Sequence, residues 1–134
     1  MPLQLTTNGG LLIVDVIGAL SVAELDPLVD AMDAARQRGP FVILTDTTAI
    51  GSVPREVLSA FADRLKRMPS LKKEWLGDAV VLTSPVVRFL LSTLVLIAPL
   101  PTKVKVFDRR AEAERWCDEL LRAAGVQQPP PPRA

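Results

Sequence analysis

The side chains in this chain best suited to chemistry are oxygen donors that the order of its segments would gather at one edge of a sheet. Asp46, Thr47, Thr48 and Ser52 follow the apolar run Phe41–Thr45, and Thr83, Ser84 and Asp108 follow two further apolar runs. In open α/β sheets, ligands bind beyond the carboxyl ends of the strands. Helix N-termini at that edge offer free N–H groups and a dipole that favours an anion. Local roles compete with this one. Ser84 and Asp108 stand where helix caps belong, and Asp46 where a side chain bonds its own turn. No glycine-rich phosphate loop accompanies them. Capping is the favoured expectation, with Ser52, Asp46, Thr47 and Thr48 kept as the candidate ligand or phosphorylation site.

Other chemistry is narrowed by what is missing. The chain has no histidine and no tyrosine. Ser-His-Asp and Cys-His catalysis are therefore excluded, as are metal sites that rely on imidazole. Cys117, beside Trp116, reads as a small buried hydrophobe with no histidine to activate it. The pair that could be nominated for carboxylate catalysis is Asp46 with Asp108. The expectation is no catalytic residue, no enzyme, no cofactor and no metal.

Length and charge set the frame. A chain of 134 residues suits one domain, expected over residues 1–125, followed by a disordered, proline-rich tail over residues 126–134. Sixteen basic and fifteen acidic side chains give a net charge of +1. That balance argues against a nucleic-acid partner. A single cysteine permits no internal disulfide, and the opening MPLQLTTNGG lacks the pattern of a secretory signal. The expected location is the cytoplasm. The longest apolar stretch, Pro85–Leu100, contains Arg88, Ser92 and Thr93. It falls short of the roughly 20 apolar residues of a membrane span and reads as a helix of the fold.

The elements that must position these residues follow from periodicity. Leu3–Thr6 and Leu11–Ile17 read as strands joined by the turn Asn8-Gly9-Gly10. Ser21 and Glu24 have capping-box spacing ahead of a helix on which Leu25, Leu28, Val29, Met32 and Ala35 share a face; Asp26 and Pro27 offer a second start. Strand Phe41–Thr45 leads into a loop over Asp46–Gly51. A second helix starts at Ser52 or Val53 with Val57, Leu58, Phe61, Leu65 and Met68 inward. Strand Ala79–Leu82, a third helix from Pro85, strand Val104–Phe107 and a fourth helix stopped by Gly125 complete the order. A hairpin followed by crossovers implies an α/β fold, a mixed and mostly parallel five-stranded sheet with four helices.

The strand leading to Gly18, the segments Phe41–Asp46 and Ala79–Leu82, and the ending Val104–Asp108 with Ala111, Ala113 and Trp116 resemble the STAS-like, SpoIIAA-like family, which groups with Sec14-like small domains. The resemblance covers roughly Leu11 to Leu121. It implies a regulatory or scaffolding module that works through protein contacts. Family members that act as anti-sigma antagonists carry a phosphorylatable serine in Asp-Ser-Ser/Thr-Gly at the start of the second helix. The matching place here is Gly51-Ser52-Val53-Pro54, which keeps Ser52 without the preceding Asp or the following Gly. A helix cap is the favoured role for Ser52.

Two surfaces compete as contact sites. On the third helix, Val87, Leu90, Leu91, Leu94, Ile97 and Ala98 fall on one face, and Arg88, Phe89, Ser92, Thr93, Leu96 and Leu100 on the other. Phe89, Leu96 and Leu100 make a second apolar stripe, expected to meet a protein partner, most simply a second copy in a homodimer, with Arg88 and Thr93 beside it. The Trp75 segment is the internal candidate to cover it. The alternative is a carrier of a lipid or other small apolar ligand in a pocket under this helix. The second surface is the basic segment Arg64, Lys66, Arg67, Lys72 and Lys73, facing acidic partners or simply solvent; Glu24, Asp26, Asp30 and Asp33 make the first helix acidic by contrast.

Overall fold

A computed structural model describes residues 3–68, 71–97 and 102–126. The expected proline-rich tail lies outside these, apart from Val126. Five strands form one sheet: β1 (Leu3–Asn8), β2 (Leu11–Gly18), β3 (Phe41–Ile50), β4 (Trp75–Val81) and β5 (Val104–Phe107). Four helices of at least three turns accompany them: α1 (Leu25–Arg38), α2 (Arg55–Lys66), α3 (Pro85–Ile97) and α4 (Arg110–Ala123). Single helical turns at Val22–Glu24 and Leu71–Glu74 join these elements.

The sheet order is β1-β2-β3-β4-β5, with β1 antiparallel to β2 and all other pairs parallel. Gly9 turns the hairpin at φ 60°, a value that glycine reaches without strain. Because the parallel strands are laid down in sequence order, right-handed crossovers put α1, α2 and α3 on one face. The last helix returns across the other face. Leu12, Val14, Val16, Ile43 and Met32 build the core on the first face; Val42, Leu44, Ala79, Val81, Ala113, Cys117 and Leu121 build it on the second. A Cβ at Gly77 would lie 2.7 Å from Leu120 Cδ1 and 2.8 Å from Trp116, so glycine there lets α4 approach the sheet closely.

Several boundaries differ from expectation. β3 continues through the expected loop to Ile50, because Asp46, Ala49 and Ile50 keep pairing with Asp15, Ile17 and Gly18 of β2 across a register shift. α2 begins at Arg55 with Pro54 as its cap, not Ser52. The cap of α4 is Arg109 rather than Asp108. Ser21 and Glu24 do pair, the hydroxyl donating to the carboxylate at 2.8 Å, around a 3-10 turn; α1 then starts at Leu25, which places Asp26 and Pro27 inside its first turn. β4 starts at Trp75, earlier than its β-branched core suggests.

Candidate functional site

The helix α3 is anchored at its start by Ser84, whose Oγ accepts from the Val86 N–H at 3.2 Å and whose carbonyl accepts from Arg88 N–H at 3.1 Å. Its inner face carries Val87, buried, and Leu90 and Leu91, half-buried. Its outer face leaves Val86, Phe89 and Leu96 in solvent, at 67%, 70% and 86% exposure. Arg88 is exposed beside them. Thr93 and Ser92 donate their hydroxyls to the Phe89 and Arg88 carbonyls, each at 3.0 Å, which satisfies them within the helix. Leu100 lies outside the described residues. Val86, three residues before Phe89, belongs to the same stripe and was absent from the sequence-based set; helical spacing extended backward would have found it. Trp75 does not cover the stripe: it is buried and stacked on Phe41, with ring centroids 6.4 Å apart.

Under the inner face of α3 is a cavity of about 160 Å³ between the sheet and the helices α1, α2 and α3. Leu20, Leu28, Phe61, Val80 and Leu91 contribute to its apolar wall. Thr45, Thr47 and Asp78 are its polar residues. Thr47 donates to the Val81 carbonyl at 2.8 Å, and Thr45 donates to Asp78 Oδ1 at 2.9 Å. Burial pushes the Asp78 carboxyl up to about 7, only partly opposed by the Thr45 bond. Sequence reading missed Asp78 and Thr45. The signal for Asp78 was an acid directly preceding the apolar run Ala79–Leu82.

The oxygen donors expected to gather at the sheet edge are divided between its two faces. Strand alternation sends Thr45 and Thr47 to the cavity side and Asp46 to the α4 side. There Arg110 Nη1 bridges Asp15 Oδ1 at 2.7 Å and Asp46 Oδ2 at 3.0 Å, carboxylates that face each other across neighbouring strands. Thr48 adds its N–H at 2.9 Å and its hydroxyl at 2.7 Å to Asp46 Oδ1. Burial alone would raise the Asp46 carboxyl, but the Thr48 and Arg110 bonds outweigh it and hold it below the ordinary value. Both Asp46 carboxylate oxygens are thus bonded within the fold. Asp108 is exposed and takes no part in this network, so the Asp46–Asp108 pairing is not formed. Cys117 is buried, and burial together with the Asp78 and Glu114 charges pushes its thiol up to about 12. The basic segment is partly neutralised within the molecule: Arg64 pairs with Asp26 of α1 at 2.7 Å and Arg67 with Asp63 at 3.0 Å.

No family model and no curated protein matches the sequence. Solved structures do match the fold. An anti-sigma factor antagonist from Mycobacterium paratuberculosis superposes with a TM-score of 0.53 at 16% identity, over 87% of this chain and 92% of that one. An uncharacterised protein of the DUF3478 family from Shewanella loihica, with a SpoIIAA-like fold, gives 0.58 at 17% identity, over 86% and 91%. The anti-sigma factor antagonist SpoIIAA in its unphosphorylated form gives 0.56 at 13% identity, over 92% and 99%. The chain has the SpoIIAA-like fold. Within this SpoIIAA-like frame Ser52 is exposed in the turn before α2, and its carbonyl accepts from the Leu20 N–H at 3.1 Å. Among the described residues, no helix is long and apolar enough to cross a membrane.

Proposed function

We propose that this SpoIIAA-like chain is a non-enzymatic regulatory module that works through protein contacts, pairing with a second copy through the outer face of α3. The observation that carries the reading is the line of Val86, Phe89 and Leu96, three large apolar side chains mostly in solvent on one helix. Large apolar side chains gathered in solvent on one face mark contact sites. Two α3 helices meeting across a two-fold axis would bury the same stripe from both sides. Arg88, the one charged residue of α3, would sit at the rim. The likeness in fold to anti-sigma factor antagonists supports a regulatory role rather than a metabolic one. Ordinary catalysis finds little to work with: Asp46 is bound to Arg110 and the Cys117 thiol is held protonated.

Native mass spectrometry at two protein concentrations tests the reading. The wild type is expected as a dimer that dissociates on dilution. The double substitution Phe89→Asp with Leu96→Asp is expected as a monomer whose circular dichroism is unchanged. A wild type that stays monomeric at the higher concentration, or a double variant that still dimerises, would overturn the pairing.

A further inference from the structure

We infer that the cavity beneath α3 is a binding site for a small molecule with an apolar body and one neutral hydrogen-bonding head, the head seated on Asp78 and Thr45. The cavity is of a size to hold a single aromatic ring: an apolar cavity of about 150 Å³ accommodates benzene, and this one measures about 160 Å³. Its wall is apolar except for Thr45, Thr47 and Asp78, and Thr45 and Asp78, on β3 and β4, are joined by a hydrogen bond. Thr47, the third polar residue of the wall, is already committed to the Val81 carbonyl.

The Asp78 side chain is what points to a ligand. It is only 9% exposed, and its carboxyl receives a single hydrogen bond, from Thr45 to Oδ1. Oδ2 takes none from any described residue, yet it is not sealed in the protein, because Asp78 lines the cavity. Buried polar atoms almost always have a partner. Among the described residues Asp78 makes no ion pair and caps no helix, and these residues give no structural reason for an acid at this place. A hydroxyl fits the position because it both donates and accepts. It can accept a proton-shared bond from the neutral acid or donate to the ionised one, with no second charge brought out of water.

Benzyl alcohol and toluene, nearly equal in size and differing in the head, are the probes. Titrated into ¹⁵N-labelled full-length protein, benzyl alcohol is expected to give saturable amide shifts at Thr45, Asp78, Val80 and Leu91, with toluene at least about ten-fold weaker. Asp78→Asn, which keeps a hydrogen-bonding head, should retain benzyl alcohol within a few-fold, while Asp78→Leu should bind the two probes alike. The wild-type comparison stands even where a variant fails to fold. Shifts that do not saturate, or that fall away from these residues, would overturn the site. Equal affinity for toluene would reduce it to a packing void, and tighter binding of benzylamine would overturn the neutral head. None of these results depends on whether the outer face of α3 pairs, because the cavity lies on its inner face.

Discussion

The two faces of the sheet are built to different standards. On the face covered by α4, one helix lies close against β3 and β4, and Val42, Leu44, Ala79, Val81, Ala113, Cys117 and Leu121 are buried together. Small residues make this approach possible: Gly77 and Gly10 leave room for Trp116, Leu120 and Leu121. Its charges are also resolved, with Arg110 held between Asp15 and Asp46. On the opposite face three helices share the same sheet. They leave a cavity, an acid with an unused oxygen, and a helix that is apolar on both sides. Close packing of the first kind stabilises a fold. The second kind gives up packing and polar satisfaction, and such departures concentrate where a protein does its work. The proposed pairing surface and the proposed ligand site both fall on the α3 side of the sheet.

The sharpest test of this contrast is the pH dependence of Asp78. Its carboxyl is raised from 3.8 to about 7 in the folded protein, so between those values the folded state binds a proton that the unfolded state has released. Stability must then fall as pH rises through that window and level off above it. The change is on the order of 4 kcal/mol in all, more than half of it between pH 5 and 7. Denaturant midpoints measured from pH 4 to 8 should show this fall in the wild type, and Asp78→Asn should remove it. Parallel profiles for the two proteins would mean that Asp78 is as well solvated as a surface acid, and the contrast between the faces would weaken.

Truncation of core leucines compares the packing directly. Leu121 is buried against the sheet on the α4 face. Leu121→Ala is expected to cost about 3 kcal/mol, through lost burial and the void left in a rigid surround. Leu91, half-buried on the cavity wall, already borders empty space, and Leu91→Ala should cost less than half as much. Equal losses in urea denaturation would show that the two faces are equally tight.

Much of this architecture was legible in the sequence because it rests on local signals. The alternation in β1 and β2, the glycines of the hairpin, and the Ser84-Pro85 start of α3 each act over a few residues. The single stripe Phe89–Leu96 was legible for the same reason, since helical spacing alone sets it. What escaped reading is what depends on neighbours distant in sequence. Asp46–Ile50 looks like a polar loop until β2 is placed beside it, and Asp46, Ala49 and Ile50 then continue the ladder across a register shift. Ser52 and Asp108 have the chemistry of caps, but the chain turns into α2 and α4 one or two residues later, at Pro54 and Arg109. Arg110 joins acids that are 95 and 64 positions away, and nothing in its own surroundings announces them. Asp78 was hidden for the converse reason: a lone acid at the start of an apolar run reads as the end of a loop until the strand is seen to begin at Trp75.

The smallest expected effect concerns that arginine, and it separates a structural charge cluster from a functional one. Arg110 is half-exposed, and its partners Asp15 and Asp46 face each other across β2 and β3. Arg110→Met keeps most of the side-chain bulk and leaves two carboxylates side by side. Their repulsion, together with the lost hydrogen bonds, should destabilise the fold by about 1–2 kcal/mol at neutral pH, less than for a fully buried pair because solvent screens the site. Asp46 is held below its ordinary value, so the stabilisation it draws from Arg110 is present at neutral pH and disappears as the pH falls through the folded-state value. The gap between Arg110→Met and the wild type should accordingly close in acid, where Asp46 takes up a proton, and the dimer mass and the benzyl alcohol shifts should not change at all. A variant that folds as stably as the wild type but loses either of those properties would move Arg110 out of the scaffold and make the α4 face part of the working surface.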